Sequence, residues 1–146
     1  MKALILAGAL SVLAGSAVAG DWRLVSYDAD NGFALNKEGL ITAGSKKTGW
    51  VALVNRTPVD GIDYIMVRME WDCAAQTRTG LAFVGYANGE VVESNHERST
   101  AQSVVPDTSD DYFLRAACFD EFQIQDDGGW SNVRLFVEDY RTAQNR

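Results

Sequence analysis

Asp63-Tyr64-Ile65-Met66-Val67-Arg68-Met69-Glu70-Trp71-Asp72-Cys73 alternates along its whole length. Ile65, Val67, Met69, Trp71 and Cys73 fall on one side at period two; Tyr64, Met66, Arg68, Glu70 and Asp72 fall on the other. That pattern marks a strand in a sheet with one buried face, and it points Cys73 inward beside Trp71.

Short strands and turns surround it. Upstream, Trp22–Tyr27, Phe33–Asn36, Leu40–Ala43 and Trp50–Val54 read as strands. Between them, Asp28–Gly32 reads as a turn with Asn31-Gly32 at positive φ, Lys37–Gly39 as a second turn, and Gly44–Lys47 as a polar loop. Downstream, Arg78–Ala87 is a strand, Asn88-Gly89 a tight hairpin, and Glu90 to about Glu97 the returning strand.

The pattern changes after Pro106. Thr108 or Ser109 is placed to cap a helix, and the carboxylates of Asp110 and Asp111 suit its positive end. Phe113, Leu114, Ala117 and Cys118 form one apolar stripe. Asp126–Gly129 is a turn or linker. Ser131–Gln144 reads as a second helix with Val133, Phe136, Val137 and Tyr140 on one side; a strand over Arg134–Tyr140 is the competing reading. The expected fold is α+β: a small antiparallel sheet with a helix on one face.

The first 19 residues have a different character. One basic residue, an apolar run from Ala3 to Leu13 and small residues at Ala17 and Ala19 describe a secretory leader cut between Ala19 and Gly20. An uncut N-terminal anchor is the alternative, although the run is short for a bilayer. Cleavage leaves 127 of 146 residues as one domain, read as a core over about 21–119 with a C-terminal extension over 120–146. No later segment reads as a membrane span.

Cys73 and Cys118 are the only cysteines. In an oxidising compartment an even pair points to one disulfide. Joined, they close a loop worth roughly 4 kcal/mol through lost chain entropy. Two free thiols for catalysis or metal are the alternative, but cysteines this far apart beside a single histidine match no metal motif.

The net charge of −7 becomes −8 once Lys2 is removed. Such a chain repels phosphate backbones and anionic lipid, so no nucleic-acid partner is expected. No hydrolase or phosphate-binding motif occurs, and no catalytic residue, cofactor or metal ligand is assigned. His96 stands in a polar stretch without a partner that the sequence can name. Asp28-x-Asp30-Asn31-Gly32 lacks the spacing of a calcium loop and reads as a turn. Core packing is the default for Trp22, Trp50 and Trp71. Trp130, after two glycines, is either packing for the tail or an exposed contact.

The chain resembles the surface-adhesin protein E family. The resemblance is carried by Asp21-Trp22, by Trp71-Asp72-Cys73, by Arg78, and by Tyr86-x-x-Gly89-Glu90-Val91-Val92-Glu93-Ser94. Val105-Pro106-Asp107-Thr108-Ser109 and Ala117-Cys118 complete it. It implies an antiparallel sheet with a helix tied across one face by the disulfide, and adhesins that bind host extracellular proteins. Anchored adhesins of this kind carry a lipid on an N-terminal cysteine. Gly20 stands there in this chain, so no lipid anchor is expected. With Lys37, Lys46 and Lys47 as the only lysines after the leader, an acidic or heparin-like partner is not favoured.

The expected activity is therefore binding, not catalysis: an exported domain, periplasmic or secreted, that contacts a protein or envelope component. Tyr64, Arg68, Glu70 and Tyr86, on the face away from the helix, are the candidate surface, and Trp130 is a further candidate contact; simple solvation of that face is the alternative. Two rivals are a small secreted hydrolase using carboxylates, with or without His96, and a structural periplasmic protein that oligomerises through an edge strand.

Overall fold

The computed structural model describes residues 20–122 and 129–144. The expected leader with its cleavage point after Ala19, and most of the Asp126–Gly129 turn, lie outside the described residues. Among those described, eight strands form one antiparallel sheet: β1 (Trp22–Tyr27), β2 (Asn31–Asn36), β3 (Ile41–Ala43), β4 (Lys46–Val59), β5 (Ile62–Asp72), β6 (Thr77–Ala87), β7 (Glu90–Asn95) and β8 (Gln102–Ser103). The main order is β1-β2-β4-β5-β6-β7, with β3 beside β4 and β8 beside β6. Two helices follow, α1 (Ser109–Phe119) and α2 (Val133–Gln144).

β5 behaves as its alternation requires. Trp71 is 0% exposed and Met69 is buried, both in a cluster with Val25, Leu35 and Val51 under Phe113, Leu114 and Ala117 of α1. Cys73, directly after β5, is bonded to Cys118 of α1 with 5.7 Å between their Cα atoms. Thr108 is the N-cap of α1: its hydroxyl accepts from the Asp111 backbone N–H, as the sequence allows. The Arg78 guanidinium donates to Asp110 at 2.6 Å and ties β6 to the start of α1.

The opposite face of β5 is covered too, at its other end. Tyr64 is 6% exposed, in a second cluster with Trp22, Ala34, Ala52 and Val54 under Phe136, Val137 and Tyr140 of α2. The stripe expected on the second helix is therefore real, and the strand alternative over Arg134–Tyr140 is corrected to helix. The Asn132 side chain accepts from the Leu135 backbone N–H and caps the start of α2. The helices thus lie on opposite faces, α1 over the Trp71 end of β5 and α2 over the Tyr64 end.

Two turns differ from expectation. The Asp28 carboxylate accepts from the backbone N–H groups of Asp30 and Asn31 at 2.8 and 2.7 Å, so the chain reverses before Asn31-Gly32, and both residues join β2. Gly32 is not needed for positive φ. It is needed for room: a Cβ there would lie 2.7 Å from Cε2 of Tyr140. The polar loop at Gly44–Lys47 shrinks to Gly44-Ser45, because Lys46 and Lys47 pair across to Asp72 and Trp71. Asn88-Gly89 behaves as read, with φ of 51° and 79° closing the β6–β7 hairpin.

Gly32→Ala is expected to destabilise the domain by about 1–3 kcal/mol, because the α2 ring must shift to admit a methyl. Urea denaturation of the variant against the parent measures it; an unchanged midpoint would mean that α2 does not press on β2.

Candidate functional site

Alternation sets Tyr64, Met66, Arg68 and Glu70 of β5 on the face that carries α2. Antiparallel register places Val54, Ala52, Trp50 and Thr48 of β4 directly opposite them, and Tyr86, Val84, Ala82 and Thr79 of β6 on their other side. α2 covers only the Tyr64 end. A groove of about 580 Å³ remains between the start of α2 and the sheet, lined by Trp22, Tyr64, Met66, Tyr86, Val133 and Arg134 among others. The Tyr64 and Tyr86 rings stack there, 4.7 Å apart and 10° from parallel. Burial raises the Tyr64 phenol above its ordinary pKa and the adjacent Tyr86 adds to this, while Arg134 opposes. At neutral pH Tyr64 is therefore a protonated donor.

Beyond the groove the same face continues uncovered. Trp50 is half-buried and sits directly across from Arg68, which is exposed. Glu70 follows, held from two sides: Lys46 donates at 3.1 Å and Arg98 at 2.7 Å. Arg98 comes from the segment after β7, which is pinned to the sheet where the Ser99 backbone N–H donates to the Gly80 carbonyl and the Gly80 N–H to the Ser99 hydroxyl, both at 2.8 Å. The hydrogen bond from Lys46, then that from Arg98, hold the Glu70 carboxyl below its usual range. A carboxylate depressed in the folded state adds stability above its unfolded pKa, about 4.3, and that stability is lost as pH falls through the folded value. The parent should therefore lose more stability than Glu70→Gln on acidification from about pH 6 to pH 3, measured by denaturant titration. Parallel curves would show that the two ion pairs contribute nothing.

Of the five residues read from the sequence as a surface, four share this face. Tyr64 and Tyr86 meet in the groove, Tyr64 being more deeply buried than a free contact residue because α2 lies over it. Arg68 and Glu70 extend the strip. Trp130 is elsewhere, on the far side of α2. Its ring packs on Phe136 at 5.2 Å and its Nε1 donates to Asp139 at 2.7 Å. Its backbone exchanges hydrogen bonds with Trp22, so the segment closes the outer edge of β1. Among the described residues nothing pairs with the outer edge of β7, where Val91 and Val92 are 56% and 57% exposed.

Arg98 and Arg134 belong to this surface and were not singled out from the sequence; Trp50, read there as core packing, is half-buried against the α2-side cluster and shows its other half on this surface. Trp50 could have been found from the register of two neighbouring strands. Arg98 could not, since nothing in Ser94–Thr100 tells where that segment lies. His96 is exposed after β7, and no hydrogen bond or ion pair joins it to another described residue. Among the described residues no three His, Cys, Asp or Glu side chains converge as a metal site.

A family model described as surface-adhesin protein E matches residues 22–119, more than half of the chain. It spans the sheet, α1 and both cysteines, and ends before α2. No curated protein and no solved structure matches the chain.

Proposed function

Because this chain belongs to the surface-adhesin protein E family, we propose that it is an exported, non-enzymatic binding protein that docks a protein or envelope component on the α2 side of its sheet. The observation that carries this reading is the aromatic-floored groove with its charged, uncovered continuation through Trp50, Arg68 and Glu70. A groove of that size with a few polar groups at its rim suits recognition. The disulfide supports an oxidising destination, periplasmic or secreted. No helix among the described residues is long and apolar enough to cross a membrane. The hydrolase alternative requires two acids, or His96 and an acid, together in a pocket; His96 is exposed and gives the second form no support.

The test is a pull-down with the domain starting at Gly20, bridge intact, against envelope extract and host matrix proteins in parallel. Specific capture from either supports the proposal; capture from neither sinks it.

One further observation favours a second reading. The open edge of β7 with Val91 and Val92 could pair with another copy of the chain, although Glu90, Glu93 and the bulge facing Gly85 and Tyr86 oppose edge pairing. A concentration-independent monomer mass in size exclusion would remove it.

A further inference from the structure

We propose that the α2-side face receives an extended, acidic segment of a partner protein, with two carboxylates about four residues apart pairing with Arg134 and Arg68 and an apolar side chain between them entering the groove. This rests on the docking reading above and adds the chemistry of what docks.

Charge supplies the first argument. The chain has 20 acidic against 13 basic residues, so an arginine should find a carboxylate easily. Arg23, Arg78, Arg98, Arg115 and Arg141 each do. Arg68 and Arg134 are both exposed, and neither has a hydrogen bond or ion pair among the described residues. Both stand on the same face. Arg134 and Glu138 line the groove one helical turn apart without pairing. Glu70 is already shared by Lys46 and Arg98. Asp72, farther along, turns its carboxylate to the backbone N–H groups of Ala74 and Ala75. The negative net charge that argues against an acidic partner is an average over the whole surface; on this face Glu70 is neutralised by Lys46 and Arg98, and Arg68 and Arg134 stand against the one unpaired groove acid among the described residues, Glu138.

Spacing supplies the second. Arg134 and Tyr64 line the groove together, and Arg68 is four strand residues beyond Tyr64, about 13 Å. Residues i and i+4 of an extended peptide have that same separation, whereas in a helix they rise only about 6 Å. An extended segment fits with its carboxylates four residues apart, whereas a helix would need them about eight or nine residues apart. The third argument is the groove, whose floor of Tyr64, Tyr86 and Met66 suits an apolar side chain. A sulfated polysaccharide would satisfy the arginines but has nothing apolar to place there.

Fluorescence anisotropy of the domain starting at Gly20, bridge intact, tests this with a labelled peptide containing Asp-Ser-Phe-Ser-Asp. Its Asn-Ser-Phe-Ser-Asn counterpart and heparin are run beside it. The acidic peptide should bind, and its counterpart should bind about tenfold more weakly. Arg68→Glu and Arg134→Glu should each weaken the acidic peptide about tenfold. Both arginines are exposed and unpaired, so melting curves should match the parent. Equal binding of the two peptides, unchanged affinity in both variants, binding of heparin alone, or no binding would each overturn the proposal. If the doubly reversed variant still captures a protein from the extracts, the docking reading stands and this assignment falls. If the parent captures nothing, the docking reading itself has failed.

Discussion

Replacing Cys73 and Cys118 together by alanine should lower the free energy of unfolding by roughly 4 kcal/mol and the melting temperature by on the order of 15 °C. The bond closes 45 residues of sequence between the end of β5 and the last turn of α1. Its removal frees the unfolded chain to spread, and that entropy is the main source of the loss. Other ties hold α1 as well, chiefly the burial of Phe113, Leu114 and Ala117. Phe113 meets the Phe33 ring edge-on at 6.0 Å, and Lys37 pairs with Asp120 at 2.7 Å across largely exposed side chains, worth little in water. Domains of this size have about 5–15 kcal/mol in total, so the bridge is a large fraction. Urea denaturation of the double variant, and of the parent with reductant, should give the same loss. A loss below about 1 kcal/mol would mean that the Phe113–Leu114–Ala117 stripe holds α1 without covalent help.

The second large effect is expected at Phe136. Its ring is 1% exposed, packed between Trp130 and Tyr140 above Ala34, Ala52 and Val54. Phe136→Ala should cost about 3–5 kcal/mol through lost burial and the cavity left behind. The residue lies outside the family-matched stretch, on the segment read from sequence as an extension. A large cost would make α2 a structural layer whose position shapes the groove beside Tyr64. A cost under about 1 kcal/mol, with the tyrosine stack unchanged, would make α2 a loosely attached tail. Equilibrium denaturation followed by tryptophan fluorescence reads this directly, because Trp22 and Trp130 both belong to that cluster.

How far the sequence reached follows from which signals are local. The alternation of Asp63–Cys73 defined both faces of β5, and the spacing of Phe113, Leu114, Ala117 and Cys118 defined the inward side of α1. Thr108 and Asn88-Gly89 act through their own backbone neighbours, so their roles were legible as well. The stripe of α2 was visible, but its docking place was not. Tyr64 and Met66 are apolar on a face that also holds Arg68 and Glu70, so the period alone cannot tell that half of that face is roofed. Asn31-Gly32 misled because Asp28 closes the turn earlier and because Tyr140, more than a hundred residues later, needs the space a glycine leaves. The candidate surface was half legible for the same reason. β5 and β6 supplied Tyr64, Arg68, Glu70 and Tyr86 by alternation, while Arg98 and Arg134 arrive from elements whose position only the folded chain determines.

The claim that the α2 side of the sheet is the docking surface is tested most directly by amide hydrogen exchange of the domain with and without a captured partner. Slowed exchange in β5, β6 and the first turns of α2, with α1 unchanged, is the expected result. Protection confined to α1 and the strands beneath it, with β5, β6 and α2 exchanging as in the free domain, would contradict it.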